Sequence, residues 1–452
     1  MFDGPILRLL VRLSAPIFAG MFFQLLYNIT DTIWISRIDL SDPSYVGGTG
    51  IIFPFLFLAI ALANGLMVGT SSLVARAIGE KNYEVLDRTA DSGLAIALLL
   101  SIVITVLAYL LAKPIITFLG AKGDFYRHAM EYYLYLLPAG VFIFTGSVLH
   151  GVLQGEGLMK YVMQAMVIGT VANIILDPIF IFLLKLDIRG AALATVIAQA
   201  LTFFYIAGVF LRRKTLVPVH WKFSKIDLPT IGKIATIGFP QALGQILMSF
   251  SFLIFNRVVV SIDQVALTAF ALCGRFDQLV MMPIFAIGAA LVTMAGQNAG
   301  RGLFERVQKI WRTSLLAGLV MVASIALLMV LLASVIYPFF SDVDQVVWYA
   351  VTQTRIIEFS FIFVMVSILA RSVFQAIGYP LPALLIMTMR TLLITVPAVY
   401  LLVYVLDLGM YGVWFGLITG SVSAAVISLI WTGRILRRLR EGKISIASSI
   451  SS

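Results

Sequence analysis

The sequence predicts an all-α integral membrane protein of twelve transmembrane helices, arranged as two pseudosymmetric six-helix bundles. Three observations carry that reading. Hydrophobic residues fill 61% of the 452 positions and charged residues only 12%, where a soluble domain carries about 25% charged residues, and mean hydropathy is +1.02. Charge-poor apolar blocks long enough to cross about 30 Å of hydrocarbon recur along the chain. The second half also repeats motifs of the first.

The twelve blocks are 13–36, 50–75, 92–119, 132–153, 161–184, 190–211, 234–260, 265–296, 313–339, 346–374, 381–405 and 410–433. The first is expected to stay in the protein rather than be cleaved as a signal. Asp3, Arg8 and Arg12 precede it, it is longer than a signal h-region, and no small-residue cleavage site follows it. Of 32 Lys and Arg residues, 21 fall in the loops and ends of one face, 6 on the other, and 5 (Arg257, Arg275, Arg355, Arg371, Arg390) inside the blocks. That bias puts both termini in the cytoplasm, and the plasma membrane is the expected location. The net charge of +10 then needs no nucleic-acid partner. The single cysteine, Cys273, excludes a disulfide framework, and His128, His150 and His220 have no metal-ligand spacing.

Four motif pairs reveal the repeat. "LSAPIFAG" (13–20) returns as "IGFPQALG" (237–244), "ARAIGEKNYE" (75–84) as "GQNAGRGLFE" (296–305), "VLQGEG" (152–157) as "VFQAIG" (373–378), and "LDIRGAALA" (186–194) as "LDLGMYGVWFG" (406–416), all at offsets of 220 to 224. The domains are therefore expected to be 1–222 and 223–452, joined by the basic connection 212–233, which reads as an amphipathic segment on acidic lipid. Six spans per half make a parallel repeat, the arrangement in which transporters place a substrate site between halves and rock one against the other.

Acidic residues inside the blocks are the functional candidates, because a carboxylate at that depth costs about 2.5 to 3.5 kcal/mol. Asp31 sits in the first block, with Gln24 and Asn28 two turns and one turn earlier on the same helical face. In the fifth block Asn173 and Asp177 are four apart, and in the sixth so are Thr195 and Gln199. Polar stripes must turn away from lipid. Their carboxylate, amide and hydroxyl oxygens suit a hard cation, and protonation is the alternative way to neutralise the acids. Asp277 and Glu358 have Arg275 and Arg355 close in sequence, so local ion pairing is the simpler reading for them. Pro16 and Pro178 are candidate hinges in the two acid-bearing segments, since proline leaves a helical carbonyl unpaired.

At these residues the chain resembles the multidrug and toxic compound extrusion (MATE) family. The likeness rests on "LSAP" opening the first segment, "NITDTIWIS" carrying Asp31, "QGEG", "NIILDPIFIF" and "RGAALATVIAQ", and it covers nearly the whole chain. The resemblance implies a cation-coupling site at Asp31, Asn173, Asp177 and Thr195, with possible coordination of Na+, and places Tyr132 beside the cavity. Some members couple through acids of the second half. Here Phe255 and Val399 stand at the repeat mates of Asp31 and Asp177, which looks more like the DinF branch.

The expected function is export of amphipathic or cationic organic compounds, coupled to Na+ or H+ by alternating access. A monomer in the lipid bilayer, with a small-molecule substrate and no cofactor beyond the coupling ion, is sufficient. The alternative is a flippase for lipid-linked saccharides, which needs basic residues to hold a pyrophosphate; Arg257, Arg275, Arg371 and Arg390 are the candidates. An aspartyl protease would need two carboxylates sharing a proton, and no GxGD-like run is present. No catalytic residue is expected.

Overall fold

Hydrocarbon leaves a spanning backbone no partner but itself, and each apolar block accordingly closes its hydrogen bonds as a helix. The computed structural model describes residues 1–39, 42, 44–220 and 225–446. The first half contains α1 (Ile6–Ser36), α2 (Ser44–Glu80), α3 (Tyr83–Leu110), α4 (Ala112–Phe118), α5 (Gly123–Leu136), α6 (Ala139–Glu156), α7 (Met159–Pro178) and α8 (Asp187–Leu211). The second contains α9 (Leu228–Ile262), α10 (Gln264–Gly300), α11 (Phe304–Ile336), α12 (Asp344–Ile357), α13 (Phe361–Ala376), α14 (Pro380–Thr388), α15 (Thr395–Tyr400) and α16 (Gly409–Arg440). Among the described residues eleven helical stretches are long and apolar enough to span a bilayer, and α5 with α6, bent by 49°, makes the twelfth.

Two segments depart from the sequence expectation. The third block stops at Leu110 and resumes as the separate helix α4, whose third residue is Pro114, because Pro114 has no N–H to offer the carbonyl of Leu110. The fourth is bent at Leu137 and Pro138, because Pro138 has no N–H to offer the carbonyl of Leu134.

The repeat extends to backbone detail. α7 runs on as a π-helical turn at Ile179–Leu183, and the second half has its counterpart at Leu401–Val405. Left-handed residues follow both turns, Lys185 and Asp187 at φ 53° and 50°, Asp407 and Gly409 at φ 51° and 52°. A Cβ on Gly190 would lie 2.7 Å from the carbonyl carbon of Phe180, and one on Gly412 would lie 2.9 Å from that of Leu402. Glycine is thus what lets the next helix return onto the π turn.

The chain forms two compact units. One holds Ala15–Ile78 and Asn82–Ala242, and the other holds Met1–Ser14, Gly79–Lys81 and the chain from Leu243. α1 and α9 each change unit within two residues of a proline, Pro16 and Pro240 respectively. Pro16 does not interrupt α1; one lost bond, at the carbonyl of Arg12, leaves the flanking ladder intact. The expected boundary at 222/223, and Lys222 with it, lies outside the described residues. The connection before it is not helical. The carboxylate of Glu156 accepts the N–H groups of Leu216 at 2.9 Å and Val217 at 2.8 Å, and Asp91 accepts that of His220 at 3.0 Å, so it is fastened to α6 and α3.

Packing differs between the units where it matters for function. In the unit containing α2 to α8, Ile52, Ile116, Tyr133, Ile181 and Ile188 form an apolar cluster that also includes Tyr132. In the other unit Phe255 and Val399 join Val403, Val413 and Trp414 in a cluster of their own. The repeat mates of Asp31 and Asp177 are therefore part of an apolar core.

Candidate cation and substrate site

Helix spacing brings the two first-half acids to one level. A Cβ on Gly20 would stand 2.6 Å from the sulfur of Met166 and 3.5 Å from the Cα of Met163, so α1 lies directly on α7 there. Asp31 is eleven residues beyond Gly20, and Asp177 eleven beyond Met166. Eleven residues make just over three whole turns and about 16 Å of rise. As first and fifth spans, the two helices run in the same direction, and the two carboxylates arrive within electrostatic reach of one another.

Other elements complete the site. Asn173, one turn before Asp177 on α7, donates its amide to the hydroxyl of Thr195 on α8 at 3.3 Å. Asn173 and Asp177 are fully buried, and Thr195 and Tyr132 are 8% and 6% exposed. The hydroxyls of Tyr132 on α5 and Tyr27 on α1 approach Thr195 and feel the charges of both aspartates. The structure thus brings together Asp31, Asn173, Asp177, Thr195 and Tyr132.

What these groups lack defines what they can hold. Both carboxylate oxygens of Asp177, Oδ1 of Asp31 and Oδ1 of Asn173 are buried without a hydrogen-bond donor. Leaving a buried acceptor unsatisfied costs about 1 to 3 kcal/mol, more for a charged one. A proton or a small hard cation removes that deficit, and the oxygen set fits either. Among the described residues no group of three or more His, Cys, Asp or Glu is clustered, so the donor set does not match a transition-metal centre.

Three expected neighbours are less engaged. Gln24 and Asn28 are exposed, and Asn28 contributes its main-chain carbonyl, which accepts the Thr32 hydroxyl at 2.9 Å. Gln199 is half-buried. Tyr27 and Trp34 were not anticipated, although they flank Asp31 at i−4 and i+3 and so share its face. The indole N–H of Trp34 is buried without an acceptor, and its ring meets Phe182 edge-on at 6.1 Å.

The reading of Asp277 and Glu358 as locally ion-paired is corrected by the structure. Among the described residues neither forms an ion pair, and Arg275 and Arg355 are exposed. Residues two apart on a helix do not face each other, which separates Arg275 from Asp277. α12 ends at Ile357, and a 3₁₀ turn at Glu358–Ser360 follows, leaving Glu358 only 2% exposed. One of its oxygens has no donor. The two acids influence each other near Tyr337 and Thr354, whose hydroxyls are 2.6 Å apart.

The MatE family model matches the chain twice, over residues 16–179 and 240–401, which are the two repeats. A probable multidrug resistance protein NorM of Thermotoga maritima is 23% identical over 436 residues, 93% of this chain and 91% of that protein. A multidrug export protein MepA of Staphylococcus aureus is 23% identical over 295 residues, 65% of each chain. Among solved structures, an outward-facing multidrug resistance MATE transporter of the MOP superfamily superposes with a TM-score of 0.92 at 29% identity, covering 97% of this chain and 98% of that one. The MATE transporter ClbM in complex with Rb+ gives a TM-score of 0.87 at 35% identity, covering 98% of each chain.

Proposed function

The chain belongs to the MatE family and is a multi-pass membrane transporter, and from that membership we propose that it exports amphipathic or cationic organic compounds in exchange for Na+ or H+. The observation that carries the coupling is Asp177, fully buried with both carboxylate oxygens lacking a donor. A buried unpaired carboxylate is costly, so it is retained where its charge is met in part of the cycle. The Rb+ bound in ClbM, a monovalent cation in a relative of this fold, supports a cation as the partner. The printed names NorM and MepA, multidrug resistance and multidrug export proteins, support organic compounds as cargo.

Asp31, Asn173, Asp177 and Thr195 would hold Na+, or an aspartate would take the proton. Tyr132 and Gln199 lie at the margin, and the exposed Gln24 and Asn28 are placed for cargo rather than ion. The cycle is alternating access, with Pro16 and Pro178 as bending points in the two acid-bearing helices. The protein acts as a monomer in the plasma membrane with both termini cytoplasmic, and moves its cargo without changing it chemically. Linkage demands that an ion which drives release of cargo weaken its binding, and the reverse. Binding of ethidium, a fluorescent organic cation, to the purified protein tests this. Affinity should fall with rising Na+ or falling pH, and an affinity indifferent to both contradicts the coupling.

A further inference from the structure

Among the described residues, two arginines inside the second half have no acid paired with them. Arg371 is on α13, and Arg390 is on a π-helical turn, Met389–Leu393, that continues α14. The first half has plain α-helix at the matching positions of that turn, and His150 at the mate of Arg371. The π turn and its Arg390 are second-half additions to a repeated frame, and Arg371 puts a permanent charge where the first half has an imidazole. π turns inside α-helices frequently mark functional sites.

Their surroundings are short of acceptors. α13 packs on α14, and Arg371 Nη1 donates to the thioether of Met387 at 2.9 Å, a weak acceptor. Arg371 Nε is buried with no partner, as is the hydroxyl of Thr388. Arg390 follows Met387 by three residues, on the same side of its helix, and the charges of the two guanidinium groups repel. Among the described residues neither arginine forms an ion pair. Interfacial snorkelling does not account for this, because Arg390 is about 15 Å along its span from Pro380, near the middle of a bilayer about 30 Å thick.

We propose that Arg371 and Arg390, with the hydroxyl of Thr388, bind a phosphate group, carried by a lipid or by a free anion. Two guanidinium forks offer donors in the planar geometry that phosphate oxygens accept, and a phosphate monoester carries about the two negative charges needed. The site is independent of the coupling acids, and its test involves no transport.

The test is thermal unfolding of the full-length protein in a phosphate-free glucoside detergent, titrated with inorganic pyrophosphate at constant ionic strength against chloride. A parallel arm compares nanodiscs containing phosphatidic acid with nanodiscs of phosphatidylcholine alone. The wild type should be stabilised by pyrophosphate if the source is a free anion, and by phosphatidic acid if it is a lipid. Arg371→Gln and Arg390→Gln should each weaken the effect roughly tenfold or more, whereas the exposed Arg438→Gln should leave it unchanged. Should a glutamine variant fail to insert, the lysine variant is read instead, and it too should bind more weakly because it lacks the fork. A wild type stabilised by neither ligand, or stabilisation unaltered in both arginine variants, overturns the proposal.

Discussion

Asn173 donates its amide to the hydroxyl of Thr195 across 3.3 Å, tying α7 to α8 one turn from Asp177. The same amide lies beside Asp177, yet neither the Asp177 oxygens nor the carbonyl oxygen of Asn173 has a hydrogen-bond partner. The proposed coupling site is therefore a place where acceptors outnumber donors.

Asp31→Asn and Asp177→Asn should each reduce ion-coupled export of ethidium to background in vesicles. Their melting temperatures should equal or exceed that of the wild type, because an amide brings donors and removes an uncompensated buried charge. Export at wild-type rates in either variant would leave that aspartate a packing residue.

Na+ and H+ coupling separate through the neutral ligands. If Na+ is held, the wild type should gain thermal stability as Na+ replaces a bulky organic cation at fixed ionic strength, by mass action on the folded state. Asn173→Ala and Thr195→Ala should blunt that gain. If a proton is the coupling ion, Na+ should give no shift, and Thr195→Ala should export normally.

Gly190→Ala tests the return of α8 onto the π turn. The added Cβ would meet the carbonyl of Phe180 at 2.7 Å, whereas a Cβ on Gly208 of the same helix would meet nothing within 4 Å. Unfolding in a detergent titration should show Gly190→Ala destabilised by about 1 to 3 kcal/mol. Gly208→Ala should be neutral or stabilised by up to about 1 kcal/mol. Equal stability of the two would contradict the packing account.

Asp227 carries a pH dependence outside the membrane. Its Oδ2 accepts the hydroxyl of Thr230 at 2.6 Å and the N–H of Thr230 at 2.9 Å, capping the start of α9. The Thr230 hydroxyl, the Thr230 N–H and Arg88 hold its carboxyl below the ordinary aspartate value. A depressed folded value means the stabilisation is complete above the unfolded pKa, near 4, and is lost as pH falls through the folded one. Asp227→Ala should therefore cost about 0.5 to 2 kcal/mol at neutral pH, and its melting curve should converge on the wild type only in acid. A gap that stays constant down to pH 2 would count against the cap.

Much of this was legible in the chain because hydrocarbon enforces it. A carboxylate such as Asp31 or Asp177 has few reasons to sit in an apolar run, and helical spacing links Asn173 to Asp177 without any structure. Tyr27 was overlooked because a tyrosine in an apolar run reads as ordinary packing, and only the position of Thr195 gives its hydroxyl a task. The bend at Pro138 and the π turns depend on which carbonyls lose partners, and composition does not record that. Asp277 and Glu358 misled because nearness in sequence to Arg275 and Arg355 was taken for nearness in space, which the helical rotation and the 3₁₀ turn at Glu358 undo.

The central claim is that the first-half acids couple ion entry to cargo export. Its most direct test is ethidium transport in proteoliposomes, with a Na+ gradient and a pH gradient imposed separately on the wild type and on Asp177→Asn. One gradient should drive wild-type transport, and neither should drive the variant. Transport that ignores both gradients, or an Asp177→Asn protein driven as well as the wild type, would contradict it.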